Sequence, residues 1–251
     1  MSRTDKFLKR ARLFIKENKL KSNNGFLKYV ILNYVNAVNM ISDDFIFKGG
    51  NLIWLYIKTP RATIDVDFCT KHINSHKEIK AILNKASNKI DGINYVLENF
   101  EELVRKEQKG AKATIVYATE DGASNKFEID IVYATPVLNR RITSIDNKNK
   151  IIAASIESII MDKIDACHRF KSGNTRIKDY DDLYRIITSG VSFNKDTVID
   201  YIKENKYEPV LDKEWITNEM VKAWHKHLKL YSDLPTELEQ LFGAVNINME
   251  N

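Results

Sequence analysis

Asp65 and Asp67 stand two residues apart in the run Arg61-Ala62-Thr63-Ile64-Asp65-Val66-Asp67-Phe68. Thr63 to Thr70 predicts a strand, which puts both carboxylates on one face and Ile64, Val66 and Phe68 on the other. Two adjacent carboxylates repel, and a site bearing them is relieved by a cation or a proton. Their hard oxygens suit Mg²⁺ or Mn²⁺, which a few carboxylates hold together with substrate phosphates. Glu128 and Asp130 form a second such pair in Lys126-Phe127-Glu128-Ile129-Asp130-Ile131. With the two strands side by side, three or four carboxylates converge. That is the minimum for two-ion phosphoryl transfer, in which one ion activates the attacking hydroxyl and the other neutralises the leaving pyrophosphate.

Gly49-Gly50 follows a strand-like segment, Asp44 to Lys48, and precedes a short apolar helix over 51–58. Glycines there let backbone N–H groups approach a phosphate, and a helix N-terminus favours the anion. Each piece alone is ordinary: a lone Asp-x-Asp is usually a pair of solvated strand carboxylates, and a lone Gly-Gly is a turn. The specific signal is the order of strand, Gly-Gly, helix, Asp-x-Asp strand, and a later strand with a third Asp.

The elements that must position these residues follow from periodicity. Helices are predicted over 4–20, with Thr4 as N-cap, then over 26–40 and 74–90. Strands are predicted over Ile93 to Phe100, Ala113 to Ala118 and Lys126 to Ala134, with Asp121-Gly122 marking a hairpin-type turn. Asn139 to Lys150 is polar and charged and reads as a linker. Beyond it lie helical patterns over 153–171, 178–189, 194–205, 212–230 and 234–245. The prediction is an α+β chain with a mixed sheet flanked by helices over 1–145 and a helical bundle over 146–251.

Composition narrows the setting. Hydrophobic residues are 43% of the chain, with nine Gly and four Pro, as in a globular protein. No apolar run is long enough to cross a bilayer, and the basic N-terminal stretch lacks the apolar core of a secretory signal. Cys69 and Cys167 are far apart, and no Cys/His cluster points to zinc, so a reducing cytoplasm is the expected location. Residues 1–145 carry 24 basic and 16 acidic residues, and nine of the basic ones fall in residues 1–28. Such a segment attracts a polyanion such as RNA, or is simply a solvated helix face.

Lys48-Gly49-Gly50-Asn51 followed by Arg61-x-Thr63-x-Asp65-x-Asp67-Phe68 resembles the AbiEii/AbiGii toxin-type family within the nucleotidyltransferase superfamily of DNA polymerase β. Asp130 matches the third carboxylate. Asp162-Lys163-Ile164-Asp165-Ala166 resembles the family's Lys-bearing helix, and Arg176-x-Lys178-Asp179-x-x-Asp182-Leu183-Tyr184 its Lys-Asp-x-x-Asp-Leu segment. These matches run from about residue 45 to 186. One departure is Asn51, where the family usually has Ser or Thr.

The resemblance implies transfer of a nucleoside monophosphate from an NTP to an acceptor hydroxyl, with RNA or tRNA as acceptor and an antitoxin protein as a further partner. It implies that Asp65, Asp67 and Asp130 hold the metals, and that Lys48, Gly49, Gly50, Asn51 and Thr63 serve the nucleotide. Arg61 contacts the substrate or pairs with a carboxylate. Lys163 neutralises triphosphate charge or is a solvated helix lysine. Lys178 and Asp179 close the site, or Asp179 and Asp182 begin a helix, where acids are favoured. The alternative is a catalytically silent NTP- or nucleic-acid-binding regulatory module on the same fold. Transfer onto protein side chains is a third reading.

Overall fold

The computed structural model describes residues 2–105, 108–135, 137–145, 149–173 and 176–250. Two compact units make up the chain: Met1–Leu52 with Ala62–Ala154, and Ile53–Arg61 with Ser155–Asn251.

The first unit opens with α1 (Arg3–Glu17) and α2 (Ser22–Ile41). The cap of α1 is Ser2 rather than Thr4. Ser2 Oγ accepts from Asp5 N at 3.0 Å and Asp5 returns the bond to Ser2 N at 2.9 Å, a reciprocal capping box. Thr4 turns into the core instead. Helix α2 is buried around most of its circumference, from Tyr29 to Asn39. Its buried Asn39 donates to Phe45 O at 3.1 Å and accepts from Ile152 N, so one amide joins the helix to two strands.

The strands are β1 (Phe45–Lys48), β2 (Val66–Thr70), β3 (Asn94–Arg105), β4 (Gln108–Ala118), β5 (Ser124–Val132), β6 (Asn139–Thr143) and β7 (Lys150–Ala154). They form one seven-stranded mixed sheet in the order β3-β4-β5-β2-β1-β7-β6. β2 runs parallel to β5 and antiparallel to β1, and β1 runs parallel to β7. Phe68 packs its ring at 5.4 Å from Phe45 and 5.9 Å from Phe47, filling the core under β1 and β2. Helix α4 (His76–Ala86) closes against α2, where Tyr34 donates to Leu83 O at 2.9 Å. Asp121-Gly122 does turn the chain between β4 and β5, in a five-residue loop with Gly122 at φ +89°.

Two expectations change. The polar run from 139 is not a bare linker: β6 and β7 pair as an antiparallel ribbon, and Ile151 to Ala154 is buried beside β1. The sheet therefore extends past 145, and residues 146–148 lie outside the described residues. β2 begins at Val66, not Thr63, because β1 ends at Lys48, opposite Asp67, and leaves nothing on that side for 64 and 65 to pair with. Ile64 is 58% exposed rather than packed.

Helix α3 (Gly49–Ile57) starts in the first unit and ends in the second. The second unit continues with α5 (Ile156–Phe170), α6 (Ile177–Thr188), α7 (Lys195–Asn205), α8 (Asn218–Leu228) and α9 (Leu238–Glu250). Trp224 of α8 is fully buried, and its indole N–H reaches Pro235 O and Thr236 O at 3.1 Å each. Tyr180 of α6 packs on Phe242 of α9 at 5.0 Å. The second unit is all-helical, as the sequence predicts, with 3₁₀ turns at Lys171–Gly173 and Lys213–Trp215.

Candidate active site

In the first unit, register sets the carboxylates in a row. Asp67 is the cross-strand partner of Asp130, and Lys48 is the partner of Asp67 on the other side. Asp65 lies two residues before Asp67, just outside the ladder, and is exposed. Asp67 and Asp130 are each half-buried. They lie between Phe127, Ile129, Val66 and Phe68, all buried on the opposite sheet face, so the apolar side anchors the strands and the polar side carries the acids.

Gly49 leaves β1 at φ +78°, in the left-handed region. A Cβ placed there would fall 1.7 Å from Asp67 Oδ2. The glycine is therefore required twice, by its backbone angle and by the carboxylate against it. Gly49→Ala is expected to displace Asp67 and to cost at least about 1–3 kcal/mol for the strained backbone. Thermal unfolding together with calorimetry of Mg²⁺-dependent NTP binding checks this. Gly243→Ala, where the added carbon meets nothing within 4 Å, is the control.

Asn51, the departure from Ser or Thr, is 1% exposed and fully engaged. Its Nδ2 donates to Asp65 O at 2.7 Å, and its Oδ1 accepts from Lys28 Nζ at 2.7 Å. A shorter Ser or Thr would not span both. Asn51 thus fixes the backbone that presents Asp65, and Lys28 of α2 is buried beside it at 5% exposure. Periodicity gave no sign of Lys28, because a lysine on an otherwise apolar helix reads as a solvated position. Thr63, half-buried just before β2, has its hydroxyl buried without a hydrogen-bond partner among the described residues.

These donors fit a hard divalent ion. Mg²⁺ takes one or two carboxylates and completes its shell with water and phosphate oxygens. Among the described residues no three His, Cys, Asp or Glu side chains close into a ready-made metal group. The open row of Asp67 and Asp130, with Asp65 beside it, suits an ion that arrives with substrate.

In the second unit, Arg61, Lys163, Asp179 and Asp182 form one buried network. Arg61 binds Asp182 through two nitrogens, at 2.9 and 3.0 Å. Lys163 Nζ lies 2.6 Å from Asp179 and 2.8 Å from Asp182. Arg176 Nε lies 3.0 Å from Asp179. Burial pulls the Lys163 ammonium down, but Asp182 and Asp179 outweigh it and hold its pKa above the ordinary lysine value. Lys163 is therefore a paired, buried cation rather than a solvated one, and Arg61 pairs with a carboxylate. Asp179 does lie in the first turn of α6, yet it is buried and bonded to Lys163, so it does more than favour a helix start. Lys178 is exposed. Asp182, which the sequence reading gives only as an acid of the helix start, joins Arg61 to Lys163.

Other chemistry-bearing residues are structural. Cys167 is buried and its thiol is pushed up by burial, which disfavours a thiolate. His227 Nε2 bonds fully buried Asp181 at 2.7 Å, in a group that also includes Arg185 and Asp233. His72 pairs with Asp44 at the surface.

Residues 37–240 match the family model described as the nucleotidyl transferase AbiEii toxin of type IV toxin–antitoxin systems. Among solved structures, the fold is similar to JHP933 from Helicobacter pylori, at 19% identity and TM-score 0.55 over 88% of each chain. It is equally similar to a candidate nucleotidyltransferase from H. pylori, at 20% identity and TM-score 0.55, covering 88% of this chain and 91% of that one. No curated protein matches. No described helix is long and apolar enough to cross a membrane.

Proposed function

We propose, from the premise that this chain belongs to the AbiEii nucleotidyl transferase toxin family, that it moves a nucleoside monophosphate from an NTP to an acceptor hydroxyl on RNA. The observation that carries the reading is Asp67 paired in register with Asp130 while its carboxylate lies against Gly49. Acid pair and glycine turn thus meet at one point of the sheet.

In this reading the N–H groups at Gly49 and Gly50, at the start of α3, hold the terminal phosphates, and Lys48 offsets their charge. Asp65, Asp67 and Asp130 would hold Mg²⁺ or Mn²⁺, which supplies neutralisation of the leaving pyrophosphate and a lowered pKa for the acceptor hydroxyl. Asp130, on the side away from Gly49, orients the hydroxyl. Thr63, whose hydroxyl has a hydrogen bond to give, serves the nucleotide. Asn51 acts one step back, by fixing the Asp65 backbone. The Lys163–Asp179–Asp182–Arg61 group also serves the nucleotide. A cognate antitoxin and a cytoplasmic setting complete the proposal.

Purified chain incubated with Mg²⁺, each α-labelled NTP in turn and total bacterial RNA tests it, with Asp65→Asn/Asp67→Asn alongside. Label in an RNA band with the unmodified chain alone is the expected result, and it gives nucleotide preference and acceptor size together. Label on protein would move the acceptor to a side chain. Equal label with the double variant, or none on any acceptor, would sink the enzyme reading in favour of a silent NTP- or RNA-binding module.

A further inference from the structure

Strand order decides what lies on each side of the carboxylates. Across β1, β2, β5 and β4 the register runs Lys48, Asp67, Asp130, Lys112. Neighbouring strands are about 4.8 Å apart, so Lys112 starts one strand beyond Asp130, on the flank away from Gly49. The phosphate-binding turn takes the near flank. The far flank is left for whatever attacks.

Lys112 is arranged for that flank. Its direct cross-strand partner is Asp130, and Glu128 lies on the diagonal. A lysine opposite an aspartate is well placed to bond it. Here the ammonium sits 2.7 Å from Glu128 Oε2, with the two side chains 39% and 49% exposed. The bond from Glu128 holds the ammonium's pKa above its ordinary value, with Asp130 and Asp65 adding smaller contributions from nearby. Glu128 thus draws the cation off Asp130 and parks it next to the acid row. Exposed pairs of this kind are weak, so the ammonium can exchange Glu128 for another anion at little cost. A lysine meets phosphate as a flexible point charge, without the fixed fork of arginine.

We infer that Lys112 is the acceptor-strand contact: its ammonium leaves Glu128 to bind the RNA backbone phosphate next to the attacking hydroxyl. This rests on the nucleotide-transfer reading and extends it to the acceptor side. Glu128 is the positioning residue that stores the cation between turnovers.

The test is fluorescence anisotropy of a short fluorescein-labelled single-stranded RNA with the full chain, Mg²⁺ and a non-hydrolysable ATP analogue, over a range of salt. Lys112→Ala is expected to weaken RNA binding about 5–10-fold and to lower the salt slope by about 0.7, as one lost phosphate contact does. Binding of the ATP analogue, followed by calorimetry, stays unchanged. Lys112→Arg retains most of the RNA affinity. Glu128→Gln raises it, because the ammonium is released and a repelling charge is gone. RNA affinity unaltered in Lys112→Ala, an equal loss of analogue binding, or no RNA binding by the unmodified chain would overturn the contact. If Lys112 governs RNA affinity but no nucleotide is ever transferred, the transfer reading fails and the acceptor role falls with it, leaving a plain RNA contact. If transfer proceeds and Lys112→Ala is indifferent, the contact alone fails.

Discussion

Asp67→Asn is expected to cut nucleotide transfer by about 10³-fold, roughly 4 kcal/mol of lost transition-state stabilisation, with a melting temperature unchanged or raised. The substitution keeps the shape of the side chain beside Gly49 and removes only its charge. Asp67 and Asp130 are direct cross-strand partners, and like charges in that position oppose folding. Lys48 and Lys112, the outer partners in the same register, offset part of that repulsion, so removing one acid charge costs the fold little while disabling the site. Asp130→Asn should behave alike. Asp65→Asn should lose activity with a smaller change in stability, because Asp65 is exposed and outside the ladder. Transfer rates at saturating NTP and Mg²⁺, set against thermal unfolding of the same preparations, separate the two effects. Activity lost together with several degrees of melting temperature would instead mean that Asp67 serves the fold.

Much of this site was legible in the sequence because its parts are local. Asp65 and Asp67, Glu128 and Asp130, and Gly49-Gly50 each declare themselves within a few residues, through a period of two or a turn dipeptide. The order of elements then constrains which strands can be neighbours. What stayed hidden depends on pairs distant in the chain. Lys28 and Asn51 are 23 positions apart and meet only because α2 packs beside the start of α3. Arg61 and Asp182 are 121 apart. The β6–β7 ribbon reads as a linker in the sequence because its first strand is exposed and charged, and only pairing with β7 makes it a strand. Edge strands of this kind carry no apolar alternation to detect. The start of β2 differs for a similar reason: alternation continues through Ile64, but β1 ends at Lys48, opposite Asp67.

The largest loss of stability is expected at Asp182. Its side chain is 1% exposed and faces two cations, Arg61 and Lys163, themselves 7% and 16% exposed. Asp182→Ala leaves Lys163 with Asp179 and strips Arg61 of both its contacts to Asp182, and breaking a buried pair by removing one partner costs about 3–5 kcal/mol. Denaturant unfolding followed by circular dichroism should show that loss in the helical unit. Asp182→Asn should cost less, since the amide oxygen still accepts from Arg61. The triple exchange Arg61→Met/Lys163→Met/Asp182→Leu distinguishes a network kept for folding from one kept for chemistry. Apolar groups of similar volume often match or exceed a buried ionic cluster in stability. If the triple variant regains the stability lost in Asp182→Ala and still transfers no nucleotide, the charges are retained for the reaction. If it regains both, the network is scaffold, and the polar work of the site belongs to the carboxylate row and Gly49.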